Sequence, residues 1–280
     1  INNEIISLFL NNNLKNYDFS NTKFESISEF SLNINKKFKI KNIQVETRLN
    51  LDEFVLKYDL YNIKNYINNF DNLIKLKENK FNIKYLDKKI SINGSSELYI
   101  DSNLKNLVEF QIEKNKNKTN FKTILNLKNL DLKVDDISYK KPINDKAILI
   151  VQGFINKKKL FFKNINYKEN KNKIIISNLE IINNKISNID EVRFDFLSDN
   201  NFMNQINLIK KDGNFNLIGK SYDSIQLIEN ISNSESNKNF FDIFYNLNSK
   251  IKIDISEVKL DDISTVNNLK GNLEIRNSSI

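Results

Sequence analysis

The chain has 280 residues, 43 Lys and Arg against 35 Asp and Glu, a formal net charge of +8, and neither Cys nor His. Without Cys or His there can be no disulfide, no thiolate or imidazole metal site, no Ser-His-Asp triad and no Cys-His pair. The length admits one elongated unit or two modest domains, and 40% hydrophobic with 28% charged residues is ordinary for a folded chain.

Ile, Leu and Phe supply the apolar share, and Lys and Asn the polar share, as an AT-rich genome dictates. Apolar residues recur regularly between the polar ones, so the Asn-rich composition does not signal disorder. Ile5–Leu14 is a first, weak helix candidate. Period-two alternation then takes over, at Phe30, Leu32 and Ile34, at Val45, Leu49 and Leu51, and at Phe54, Leu56, Tyr58 and Leu60. Ile63, Tyr66, Ile67, Phe70, Leu73 and Ile74 switch to helical spacing. Strands resume at Phe81, Ile83 and Tyr85, and Ile90 and Ile92 lead to an expected turn at Asn93-Gly94, followed by Leu98 and Ile100. Val108, Phe110 and Ile112 come next, then Leu125 and Leu127, then Leu130, Leu132 and Val134. Polarity peaks near residues 115–120, a soft boundary within what reads as one elongated segment.

The second half repeats the habit at Ala147, Leu149 and Val151, at Ile174 and Ile176, and at Val192, Phe194 and Phe196. Ile206 and Leu208, Phe215 and Leu217, Ile251, Ile253 and Ile255, and Leu273 and Ile275 complete it. Asp223 with Gln226 has the form of a capping box opening a short helix through Ile225 and Ile228, and Phe240, Ile243, Phe244 and Leu247 mark another. Residues 230–239 read as a polar loop. One apolar and one polar face per strand, with short polar connections, predicts a mostly β fold of about fifteen strands in a long antiparallel meander with a few short amphipathic helices.

Little here carries chemistry. Asp135-Asp136 and Asp261-Asp262 read as turn residues, because neighbours on a strand point to opposite faces and form no dyad. Glu97 and Glu109 are expected to face water. The Lys residues alternate with Asn, Asp and Glu, and the densest cluster, Lys157-Lys158-Lys159, reads as a turn, so no nucleic-acid partner is expected. No phosphate loop is present, so no enzyme activity and no cofactor are expected. No apolar run reaches transmembrane length, and the chain begins at Ile1 and stops in mid-pattern, so both ends read as cuts in a longer protein.

Residues Gly219–Ile228, GKSYDSIQLI, and Lys250–Ile280, KIKIDISEVKLDDISTVNNLKGNLEIRNSSI, carry a resemblance. Gly219, Ser221 and Asp223, then Ile251, Ile253, Ile255, Val258, Leu260, Leu269 and Gly271, resemble the C-terminal motifs of the AsmA-like family of envelope proteins, especially its YhdP-type members. Lys146–Phe196 is similar to the strand ladder upstream of them. The resemblance implies an elongated β-groove in the periplasm, anchored at the inner membrane by an N-terminal helix outside this sequence. It also implies a role in moving phospholipid between inner and outer membranes, with acyl chains as ligand and no catalytic residues. The expected groove lining is Phe30, Leu32, Ile34, Phe54, Leu56, Tyr58, Phe194, Phe196, Ile251, Ile253 and Ile255, with Lys250, Lys252 and Asp254 facing water. The alternative is a non-enzymatic β-sandwich or β-solenoid module whose apolar face is filled by protein.

Overall fold

The computed structural model describes residues 17–18, 22–57, 66–67, 70, 73–100, 104–183, 185–232 and 249–275. The chain forms two compact units, Ile1–Asp131 and Leu132–Ile280. Both are built from alternating strands, and among the described residues helix is confined to one short segment and one 3₁₀ turn.

The first unit contains β1 (Tyr17–Asp18), β2 (Phe24–Ile34), β3 (Ile40–Lys57), β4 (Leu73–Leu86), β5 (Lys89–Tyr99), β6 (Lys105–Lys114) and β7 (Thr119–Asn126). Its sheet runs β1-β3-β4-β5-β6-β7, with β2 beside β1 on the same edge of β3, and every pairing is antiparallel. Residues 115–118 form the turn between β6 and β7. The second unit contains β8 (Leu132–Val134), β9 (Tyr139–Lys141), β10 (Ala147–Asn156), β11 (Lys159–Glu169), β12 (Asn172–Ile182), β13 (Lys185–Asn188), β14 (Glu191–Leu197), β15 (Met203–Lys211), β16 (Asn214–Asp223), helix α1 (Ile225–Ser232), β17 (Ser249–Lys259) and β18 (Thr265–Ile275). Its large sheet runs β10-β11-β12-β14-β15-β16-β17-β18 with β13 beside β12, while β8 and β9 form a separate hairpin around the 3₁₀ turn Asp135–Ile137.

Three expectations are corrected, and within the mostly antiparallel pairing β16 and β17 pair in parallel. Parallel neighbours cannot be joined by a tight turn, and the crossover between them carries α1. The expected turn at Asn93-Gly94 is the middle of β5. Gly94 serves there because the Phe110 ring lies over it, where an added Cβ would sit 2.5 Å from the ring and 2.9 Å from the Lys80 carbonyl. The turn is instead the two-residue loop Asp87-Lys88, both at positive φ (48° and 66°), which matches the twist of a hairpin without any glycine. Of the helix expected over Ile63–Ile74, Tyr66 lies in a turn, Ile67 forms a β-bridge, Phe70 belongs to no regular element and Leu73 and Ile74 open β4, while Ile63 lies outside the described residues. The helix at Asp223 is present, but the reciprocal box is not. The Ser224 carbonyl accepts the first helical bond from Ile228 N, and Gln226 turns to Glu229. Asp223 Oδ1 accepts the Ile225 N–H at 3.2 Å, and its own N–H donates to Asn204 Oδ1 at 2.7 Å. The helices expected over Ile5–Leu14 and Phe240–Leu247 lie outside the described residues.

Candidate functional site

Pairing places side chains at matched positions on one side of the sheet, so the registers show directly what each face carries. In the second unit one rung runs Leu149, Tyr167, Ile174, Phe194, Ile206, Gly219, Ile255, Leu269. The next runs Val151, Ile165, Ile176, Val192, Leu208, Leu217, Ile253, Gly271. No charged residue interrupts either rung over eight strands, a span of roughly 34 Å at about 4.8 Å per strand. The first unit follows the same plan over six strands, with Ser28, Thr47, Ile83, Ile92, Ile112 and Phe121 in one rung and Ser26, Leu49, Phe81, Gly94, Phe110 and Thr123 in the next. On its opposite face stands the polar rung Arg48, Asn82, Asn93, Gln111, Lys122, and concavities of about 280 and 460 Å³ open among these residues. Most Ile, Leu and Phe side chains on these faces are half-buried, and in the second unit Leu179, Ile189, Val192 and Phe215 form a buried cluster against which Ile165, Ile176, Phe194, Leu208 and Ile251 pack.

The residues expected to line a groove divide accordingly. Phe194, Phe196, Ile251, Ile253 and Ile255 share the apolar side of the second unit, with β15 and β16 between them. Phe196 and Ile255 are buried and the other three half-buried, while Lys250, Lys252 and Asp254 are exposed. Phe54 and Leu56 are half-buried beside Leu76 and Ile74 in the first unit. Phe30, Leu32 and Ile34 are exposed on β2. Tyr58 lies outside the described residues. Glu109 is exposed, whereas Glu97 is held by Lys105 and accepts the Tyr99 hydroxyl at 3.0 Å, and the Lys105 bond keeps its carboxyl below the usual range.

Each unit also holds buried polar groups with identifiable partners. In the first unit Ile67, Phe70, Leu98, Val108, Leu127 and Leu130 are each buried, and so are the amides of Asn79 and Asn106. Asn79 Nδ2 donates to the Leu51 and Leu76 carbonyls at 3.1 and 3.0 Å, and Asn106 Oδ1 accepts the Asn129 N–H at 3.0 Å. In the second unit the β8–β9 hairpin lays Tyr139 edge-on against Tyr167 and Phe196, at 6.2 and 5.8 Å between ring centres. The Tyr139 and Tyr167 hydroxyls are 2.6 Å apart, Tyr139 also donates to Glu169, and Asn172 Nδ2 donates to the same carboxylate oxygen at 2.9 Å. Burial pushes both phenol pKa values well above normal, and for Tyr139 the Glu169 bond adds to the effect. Both remain protonated donors, which suits a clasp rather than proton transfer. The sequence could not reveal this cluster, because Tyr139 and Glu169 are brought together only by the hairpin folding back.

No family model, no curated protein and no solved structure matches the chain. Among the described residues, no three Asp or Glu gather where they could hold a metal ion.

Proposed function

We propose that this chain is a segment of an AsmA-type periplasmic bridge whose apolar sheet faces shelter phospholipid acyl chains on their way between inner and outer membranes. The observation that carries the reading is the pair of uncharged rungs crossing eight successive strands of the second unit's large sheet. Exposing an acyl chain to water costs about 0.8 kcal/mol per CH₂, so a chain of about 16 carbons faces a barrier of about 12 kcal/mol. A continuous apolar strip lowers that barrier along its whole length, while a charge on the path would restore it locally. The head group stays in water beside the strip, so the path needs neither catalysis nor a shaped pocket. In this reading the strip is the wall of a curled groove, and a helix beyond this sequence anchors the protein at the inner membrane. A β-sandwich module would need a second large sheet over the first. Among the described residues of the second unit, the other sheet is the two-stranded β8–β9 hairpin.

Transfer of a fluorescent phospholipid between donor and acceptor vesicles tests this directly. The purified chain should accelerate transfer, and Ile253→Lys, which puts a charge in one of the two rungs at a half-buried position, should abolish most of the acceleration while the melting temperature stays close to that of the wild type. No acceleration by the wild-type chain, or full acceleration by the folded Ile253→Lys variant, would sink the proposal.

A further inference from the structure

The hairpin joining β2 to β3 runs past the rest of its sheet. β4 pairs with β3 only as far as Gln44, so residues 35–43 have no neighbour on that side among the described residues. At the apex Asn35 organises a tight turn, its Oδ1 accepting the N–H groups of Lys37 and Lys39, both at 2.9 Å. The last turn position is Phe38, at φ 56°, a left-handed conformation that a bulky aromatic side chain adopts only against steric resistance. Phe38 is 89% exposed, and Ile34 and Ile40, paired behind it, are 59% and 56% exposed. Interleaved with these are Lys36, Lys37, Lys39 and Lys41, and no carboxylate occurs between Glu29 and Glu46. Among the described residues none of the four lysines has an ion-pair partner.

We infer that this hairpin tip is a docking element for an anionic lipid bilayer surface, a contact that does not depend on what the apolar faces hold. A strained, solvated aromatic ring on a rigid turn gains nothing in water. Pressed into the boundary between head groups and acyl chains it is buried, and the lysines around it meet the negative head groups. Phosphates of a nucleic acid would satisfy the lysines but leave Phe38, Ile34 and Ile40 without an apolar partner, so lipid accounts for both halves of the pattern. The second unit supplies a contrast. Ile263 is 95% exposed at the β17–β18 turn, but Asp261 and Asp262 immediately precede it, so it should be repelled from the same surface.

Co-flotation with vesicles of phosphatidylcholine containing phosphatidylglycerol, against phosphatidylcholine alone, is the test. Wild type should float only with the anionic vesicles. Lys36→Gln with Lys37→Gln should weaken binding by roughly thirtyfold, at about fivefold per lysine. Phe38→Asn should weaken it about tenfold while leaving the melting temperature equal or higher, because Asn accepts the left-handed turn more readily. Lys157→Gln with Lys158→Gln, which removes the same charge at another turn, and Ile263→Ser should leave binding unchanged. Equal losses from the two lysine pairs would reduce the effect to net charge and overturn the proposal. So would failure of the wild type to float, or binding to single-stranded or duplex DNA that Phe38→Asn weakens as strongly as it weakens vesicle binding.

Discussion

The two units carry the same face and hold their buried polar groups by different chemistry. In both, uncharged rungs run unbroken across the strands. The first unit buries amides bonded to backbone, with Asn79 spanning two carbonyls beside a bulge whose Glu78 sits at φ 49°. The second buries a side-chain clasp, Tyr139 with Tyr167 and Glu169, under a hairpin that belongs to no larger sheet. An amide on the sheet mends the sheet itself, whereas a clasp made by a separate hairpin joins two pieces of structure. The face depends on alternation and tolerates exchange of one aliphatic residue for another, while each buried polar set rests on a few groups that cannot be exchanged.

The largest expected effect follows from removing the ring on which the clasp rests. Phe196 is 1% exposed and meets Tyr139 and Phe194, so Phe196→Ala should destabilise the second unit by about 3–5 kcal/mol. Hydrogen exchange should show that loss in β9, β14 and β15 and leave β3–β6 protected. In the first unit, Gly94→Ala should cost about 1–3 kcal/mol by overpacking against Phe110 and the Lys80 carbonyl, with protection lost in β4–β6 instead. If either variant loosened both units equally, the division between them would be wrong.

A pH titration sharpens the contrast. Both clasp phenols are held above their ordinary pKa, so the folded state keeps protons that the unfolded chain releases above about pH 10. Their contribution is therefore complete below that value and fades as pH rises beyond it. The melting temperature of the second unit should fall in alkali, and Tyr139→Phe should flatten the decline. A wild-type slope in that variant would show that the phenol is not responsible. The smallest effect belongs to Asp223. Its Oδ1 accepts one N–H, but its buried Oδ2 has no partner. Asp223→Ala should cost about 1 kcal/mol and Asp223→Asn about nothing, as thermal melts would show.

Much of this fold was legible because a strand with one wet face writes its period directly into the sequence. The strands through Phe194, Phe196, Ile251, Ile253 and Ile255 were found for that reason, and the registers bring them onto one side. Local turn signals were weaker than tertiary packing. Asn93-Gly94 looks like a hairpin turn, but the glycine is there to admit the Phe110 ring, while Asp87-Lys88 turns with neither Asn nor Gly. Leu73 and Ile74 fit a helical spacing as well as they fit β4, and only pairing with Leu56 and Lys57 decides between them. The clasp joins residues thirty apart, beyond any local pattern. The hairpin tip does leave a trace, an aromatic residue among lysines at Lys36–Lys41, but Lys157-Lys158-Lys159 is denser in charge, so charge density alone points to the wrong turn.

If one side of the sheet holds lipid and the other does not, as we propose, neighbouring residues on β17 can separate them. Ile253 stands in an uncharged rung and Lys252 on the opposite, exposed side. A photo-reactive amino acid placed at each position in turn, and irradiated in cells, should yield phospholipid adducts from position 253 and none from position 252. Adducts from both positions alike, or from neither, would contradict the account.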